Sequence, residues 1–242
     1  MKLLVVSDIH ANRPALRAIR EPADAVVCLG DIVSYGPSPR ECLAWVRERA
    51  AHVVRGNHDT ALADGTTPGA AAFKRALALA TLEQHRHLVS EEEVAWLRTL
   101  PTELSFRCDD YRFHAVHASP TDHLSSYRLT PDLDVEELKK EVAEVRADFV
   151  LLGHTHLPMS RGAWSKVVLN PGSVGQPLDG NPRASYAVIE DGVAEIRRVE
   201  YDIEETAAGI RGMGLAAEMA DALIGILRTG KPCADPEPGQ EA

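Results

Sequence analysis

Five short stretches of this chain carry side chains able to hold a metal ion or move a proton. They are Asp8-Ile9-His10, Gly30-Asp31, Gly56-Asn57-His58-Asp59, His117 before Ala118-Ser119-Pro120, and Gly153-His154-Thr155-His156. Carboxylates, amide oxygens and imidazoles are ligands for borderline divalent cations. Each stretch also has a plainer reading. An Asp-x-His serves as a turn or helix cap, Gly-Asp is a common turn pair, and Asn and Asp tolerate the unusual backbone angles of tight turns. The paired histidines His154 and His156 have no such structural use. Turns and caps do not explain why all five stretches occur together, each directly after an apolar run. Read jointly, they predict a metal site.

The elements that must position these residues follow from the apolar runs. Segments 2–7, 25–29, 52–56, 149–153 and 166–170 read as strands buried on both faces, with helical patterns at 14–20 and 39–50 between the early ones. Strands alternating with helices predict an α/β layered fold. In such sheets, sites form at the carboxyl ends of strands, so the five stretches converge in space. Gly30, Gly56 and Gly153 permit tight turns and close backbone approach there. The pair Asp191-Gly192 between two β-prone runs predicts a hairpin and makes the sheet mixed. Further helices are expected at 69–88, at 90–99 with a Ser90/Glu93 capping box, and at 132–147. Two more fall within 203–228, broken around Gly212–Gly214. The domain plan is a catalytic unit over 1–200, a helical extension over 201–230 and a disordered acidic tail over 231–242. The apolar spacing of the extension reads as a face packed on the core, with homo-oligomerisation or shaping of a substrate cleft as further roles.

Composition narrows the function classes. The 242 residues are 45% hydrophobic and carry a formal charge of −10, which argues against a general nucleic-acid binder. The four cysteines, Cys28, Cys42, Cys108 and Cys233, show neither CxxC pairing nor zinc-like spacing, which fits a reducing, cytoplasmic setting. The chain opens directly in a strand with no signal-like segment, and no apolar run approaches the ~20 residues a membrane helix needs.

The ordered set D-x-H, G-D, G-N-H-D, H and G-H-x-H, with the surrounding text SDIHAN, GDIVSYGP, VRGNHD and NPGSVGQP, resembles the calcineurin-like metallophosphoesterase superfamily over roughly residues 1–190. It looks most like the compact bacterial and archaeal phosphodiesterase-like branch. The resemblance implies a sandwich of two mixed β-sheets flanked by helices. It implies one metal held by Asp8, His10, Asp31 and His156, and a second held by Asp31, Asn57, His117 and His154. This oxygen and nitrogen set without thiolate suits Mn first, then Fe, Zn, Co or Ni. The implied reaction is in-line attack by a metal-bridging hydroxide on a phosphate ester. His58 is then the proton donor to the leaving group, and Asp59 the carboxylate that orients its ring. Asn57, His58 and Arg55 are the candidate substrate contacts. His114 is excluded because it falls on the other face of the strand that ends at His117. His52, His85 and His87 are assigned to surface or helix positions, and His123 is left outside the site. Ala118 stands where the family more often has Gly.

After Gly30-Asp31 the chain reads Ile32-Val33-Ser34-Tyr35-Gly36, so the Asp-Arg pair usual in the protein-phosphatase branch is absent. A guanidinium fork for a phosphomonoester dianion is therefore missing at that position. The reading leans towards a small phosphodiester, with phosphomonoesters left open. Two alternatives keep the fold. A metal-binding scaffold with little catalysis would be expected to have lost ligands, but all seven positions are present. A nuclease would need a basic groove, which the acidic chain does not suggest.

Overall fold

The computed structural model describes residues 1–69 and 72–233. Ten strands form two sheets. The first is built from β1 (Lys2–Val6), β2 (Ala25–Cys28), β3 (Ala50–Val53), β9 (Ala184–Glu190) and β10 (Val193–Val199), in the order β10-β9-β1-β2-β3. Its three early strands run parallel, and β9 joins β1 antiparallel. The second sheet comprises β4 (Glu103–Cys108), β5 (Tyr111–Val116), β6 (Phe149–Leu151), β7 (Met159–Ala163) and β8 (Lys166–Asn170), in the order β4-β5-β6-β8-β7. It too is mixed: β5, β6 and β8 are parallel, while both edge strands are antiparallel.

Side chains alternate across a strand, and β1 shows what that does here. Leu3 and Val5 enter the core between the two sheets with Leu29, Phe113, Phe149 and Leu169. Leu4 and Val6 face the helices with Leu16, Cys28, Leu43, Val46 and Leu97. A strand buried on both faces reads as one apolar run, which is why these segments stood out in the sequence.

The helices are α1 (Arg13–Ala18), α2 (Pro39–Arg49), α3 (Asn57–Asp64), α4 (Ala72–Leu88), α5 (Glu91–Thr99), α6 (Val135–Glu141), α7 (Ile203–Arg211) and α8 (Ala217–Thr229). Ser90 and Glu93 form the expected capping box of α5, with Ser90 Oγ accepting from Glu93 N at 3.2 Å and Glu93 accepting from Ser90 N at 2.7 Å. Asp191 (φ 51°) and Gly192 (φ 77°) make the two-residue turn of the β9–β10 hairpin. The chain breaks at Gly212–Gly214 between α7 and α8 as expected.

The edge strands β4 and β7 are not among those expected from the sequence, and three further elements differ from the sequence reading. The helix expected over 132–147 is confined to α6, because the chain must leave it by residue 148 to enter β6 beside β5. The third strand lies at Ala50–Val53 rather than 52–56. The Gly-Asn-His-Asp stretch, read as a turn, is the first turn of α3, with Gly56 as N-cap and Asp59 accepting from the Gly56 amide at 3.1 Å. Most of the tail reading, residues 234–242, lies outside the described residues. Among the described residues no helix is long and apolar enough to cross a membrane.

Candidate metal centre

The candidate residues leave their strands through backbone corners rather than smooth turns. Asp8 (φ 52°), His10 (φ 45°), Asp31 (φ 53°), His154 (φ 65°) and His156 (φ 59°) all stand in the left-handed region, which costs an L-residue steric strain. Such strain persists only where the surrounding fold over-determines it. Here the corners are tied to one another across strands: Asp8 N donates to Gly30 O at 3.0 Å, His10 N to Asp31 O at 2.9 Å, and Gly153 N to His117 O at 2.8 Å. Two glycines are required by the close approach. A Cβ on Gly56 would lie 2.1 Å from Asp31 Oδ1, and one on Gly153 would lie 1.9 Å from Ser7 Oγ.

These corners bring two donor groups together, both buried. In the first, Asp8, His10 and His156 converge. His10 Nδ1 donates to Val33 O at 3.0 Å and His156 Nδ1 to Gln176 O at 2.6 Å, so both Nε2 atoms carry lone pairs. Those lone pairs face one another at 3.1 Å, with Asp8 Oδ1 3.4 Å from His156 Nε2. In the second, Asp31, His117 and His154 converge with the Asn57 amide oxygen. His117 donates Nδ1–H to Leu29 O at 2.7 Å and turns Nε2 towards Asn57 Oδ1 at 3.0 Å and Asp31 Oδ2 at 3.2 Å. His154 Nδ1 lies 3.1 Å from Asn57 Oδ1 and 3.3 Å from His117 Nε2. Asp31 Oδ2 stands between the groups, 3.9 Å from His10 Nε2.

Electron pairs and carboxylates packed this closely repel unless a proton or a cation stands among them. Two of the imidazoles, His10 and His154, are held in the neutral form that ligates a cation. Burial, then the neighbouring His156, pushes His10 down to about 3. Burial, then His117, pushes His154 down to about 3. Burial opposes charge on Asp8 and Asp31, yet the adjacent imidazoles hold both below the ordinary carboxylate value. His117 moves the other way: burial disfavours its charge, but the Asp31 carboxylate prevails and raises it to about 9. Imidazole nitrogens, two carboxylates and an amide oxygen fit divalent cations at both positions, and a cation there would displace the proton that Asp31 otherwise favours on His117.

His58 lies beside this centre at the start of α3, with Nε2 3.9 Å from Asp31 Oδ2. Its ring is not oriented by Asp59. The Asp59 carboxylate instead accepts from the amides of Asp31 (2.8 Å), Ile32 (2.9 Å), Val33 (3.3 Å) and Gly56 (3.1 Å), tying the two loops together. His58 Nδ1 is buried without a hydrogen-bond partner among the described residues. Arg55 also departs from its sequence role. Its guanidinium pairs with Asp64 at 3.2 Å, at the far end of α3, and it does not line the cleft.

A cavity of about 190 Å³ opens over the centre, floored by Asp31, His58, His154 and His156. Its walls are mostly apolar, with Leu77, Leu157, Leu178 and Ile226, and Lys74 is the one Lys or Arg lining it among the described residues. Tyr127 lies over His154, with ring centroids 4.1 Å apart. Tyr35, Tyr127 and Lys74 were not singled out in the sequence, because no local pattern separates a cleft-lining aromatic or lysine from any other.

Of the other histidines, His114 bonds Ser105 on the second sheet at 3.0 Å, away from the centre. His52 stacks on Phe106 at 3.8 Å, His87 is exposed, and His123 bonds Thr102. His85 is different. It sits on α4 but is fully buried, spanning the loop after Asp31 rather than facing solvent.

The calcineurin-like phosphoesterase superfamily domain matches residues 1–191. An uncharacterised protein of Methanocaldococcus jannaschii is 31% identical over 84% of this chain and 89% of its own length. The phosphodiesterase YfcE of Escherichia coli is 27% identical over 81% of this chain and 91% of its own length. The crystal structure of a metallophosphoesterase from Sphaerobacter thermophilus is 30% identical, with a TM-score of 0.79, covering 95% of this chain and 99% of that one. With two mixed sheets, a carboxylate and imidazole cluster at their strand ends, and the match over residues 1–191, the chain belongs to the calcineurin-like phosphoesterase superfamily, the metal-dependent hydrolases of phosphoric esters.

Proposed function

We propose that this protein hydrolyses a small-molecule phosphodiester, with phosphomonoesters as secondary substrates, using two divalent transition-metal ions with Mn preferred. The observation that carries the reading is the pair of buried donor groups meeting at Asp31 on the floor of one cleft. Asp8, His10, Asp31 and His156 would hold one ion; Asp31, Asn57, His117 and His154 would hold the other. When bound, such a pair supplies Lewis-acid polarisation of the phosphoryl oxygens and activation of water.

The chain's own residues supply the rest. Asn57 and His58, presented by the first turn of α3, face the phosphoryl group. His58 is the proton donor to the departing oxygen, because it is the imidazole beside the centre that belongs to neither donor group. The apolar walls take the organic part of the ester. With Lys74 the one Lys or Arg among the described residues lining the cleft, and no guanidinium fork there beside the metal positions, the singly charged phosphate of a diester is favoured over a monoester dianion. The name of the Escherichia coli relative agrees with a diester.

Turnover of bis-p-nitrophenyl phosphate and p-nitrophenyl phosphate with Mn²⁺ tests the proposal. The diester is expected to react faster. Failure of both across a panel of divalent metals would overturn the catalytic reading in favour of a scaffold. His58→Ala is expected to lose ~10²–10³-fold on diphenyl phosphate, whose phenolate leaves poorly, and far less on the nitrophenyl diester. Both metals should remain by elemental analysis.

A further inference from the structure

Asp31 is followed by a second strained corner to which the reaction above assigns no part. Ser34 (φ 76°) and Tyr35 (φ 61°) stand in the left-handed region in succession, and neither is a glycine. Helix α4 holds them there with two fully buried side chains one turn apart. Thr81 Oγ1 accepts from Tyr35 N at 3.0 Å and lies 3.2 Å from Ser34 Oγ. His85 accepts from Ser34 N through Nδ1 at 3.1 Å and donates from Nε2 to Gly36 O at 2.8 Å. Both ring nitrogens of His85 are thereby used, which sets its tautomer.

The corner delivers the ring of Tyr35 into the angle between two histidines. Its centroid lies 4.9 Å from that of His58, at 56°, and 4.8 Å from that of His10, at 59°. His10 packs edge-on against His58 at 5.1 Å. No hydrogen bond orients the His58 ring: Nδ1 has no partner among the described residues, and Asp59 is committed to backbone amides. What aims this imidazole is ring packing, and Tyr35 is the member of that packing that belongs to neither donor group.

We propose that Tyr35 is a positioning residue that aims His58, and that Thr81 and His85 of α4 are the latch that holds Tyr35 in place. The inference rests on His58 being the proton donor. Proton donation matters most when the leaving oxygen is a strong base. A poorly aimed His58 therefore slows the loss of a poor leaving group and largely spares a good one. A residue of merely structural importance would slow both alike.

The test compares rates on diphenyl phosphate and bis-p-nitrophenyl phosphate for the full chain with Mn²⁺. His58→Ala serves as the reference, and metal content and thermal melts are measured on every variant. Tyr35→Leu is expected to lose ~10-fold or more on diphenyl phosphate and under ~3-fold on the nitrophenyl ester, with both metals retained. Tyr35→Phe, which keeps the ring, should recover most of that loss. His85→Leu strands the Ser34 amide and the Gly36 carbonyl and should show the same selectivity. His85→Gln, with an acceptor and a donor at its tip, should restore it. Where Tyr35→Leu does not fold, the two His85 variants carry the same comparison. Equal losses on both esters, no loss on either, or loss of metal in Tyr35→Leu or His85→Leu would overturn the inference while leaving a selective His58→Ala intact. A His58→Ala that loses both esters equally would overturn the proton-donor reading itself, and this inference with it.

Discussion

Asp59 shows how a single carboxylate can serve a site without touching the reacting atoms. It lies directly after His58, yet it accepts four amide N–H groups from the segments that carry Asp31 and Asn57. Burial, and then the charge of Asp31, raises it to about 6, so its ionised form is held by those amides against its surroundings. An Asp59→Asn variant turns an NH₂ group towards amide donors and loses charge-assisted bonds, at a cost of roughly 2–4 kcal/mol. The expected outcome is a lower melting temperature together with weaker Mn²⁺ retention on dialysis. If Asp59 instead oriented the ring of His58, the variant would keep its metal and copy the leaving-group selectivity of His58→Ala. The two outcomes are separated by one elemental analysis.

At the scale of the element, α4 carries the most that sequence pattern could not show. Its buried face reads as ordinary helix packing, but His85 on that face is wired to the backbone of a loop 49 residues away, at Gly36. Burial pushes His85 down to about 4. Its value is thus below that of an unfolded histidine, near 6.5, and the unfolded chain takes up this proton first as the pH falls. The contribution is fully present above pH ~6.5 and is lost between there and about pH 4, amounting to about 3 kcal/mol. Urea unfolding of the metal-free protein at pH 7 and pH 4.5 should therefore show a smaller difference for His85→Gln than for the parent chain. An unchanged difference would mean that His85 titrates normally. Helix α3 makes a complementary point. Its opening Gly-Asn-His-Asp is composed of turn formers, and the same residues are good N-cap and first-turn residues, so local chemistry could not choose between turn and helix.

At the scale of the molecule, the cleft is assembled from distant parts of the chain. Its walls come from α4, the segment around Tyr127, the loop after β6, Leu178 and the last helix, α8, through Ile226. Helices α7 and α8 join Tyr35, Leu77 and Ala78 in one apolar cluster through Ala207, Ile210, Leu223 and Leu227. Helices α7 and α8 thus pack against α4 and Tyr35, and Ile226 closes one side of the cleft. In a chain of net charge −10, Lys74 is the one Lys or Arg of that cleft among the described residues. Lys74→Ala should raise KM for bis-p-nitrophenyl phosphate by ~3–10-fold at low salt with kcat little changed, and the difference should shrink as salt is added. A fall in kcat at constant KM would instead place Lys74 in the chemical step.

The sequence by itself determined the alternation of buried strands with helices and the residue types at the strand exits, because both are written locally. Runs buried on both faces announce the parallel strands, and Asp, His and Asn directly after them can be read without knowing their neighbours. That Asp8, His10, Asp31, Asn57, His117, His154 and His156 stand within one centre followed from the general rule that strand ends converge. Only the tertiary structure decided which nitrogen of each imidazole faces inward, since that depends on carbonyls such as Val33, Leu29 and Gln176 contributed from elsewhere in the chain. It likewise turned Asp59 to the backbone, paired Arg55 with Asp64, and set Tyr35 and His85 behind His58. Those assignments rest on contacts between residues far apart in the chain, and a side chain's partner across such a distance leaves no local periodicity to read.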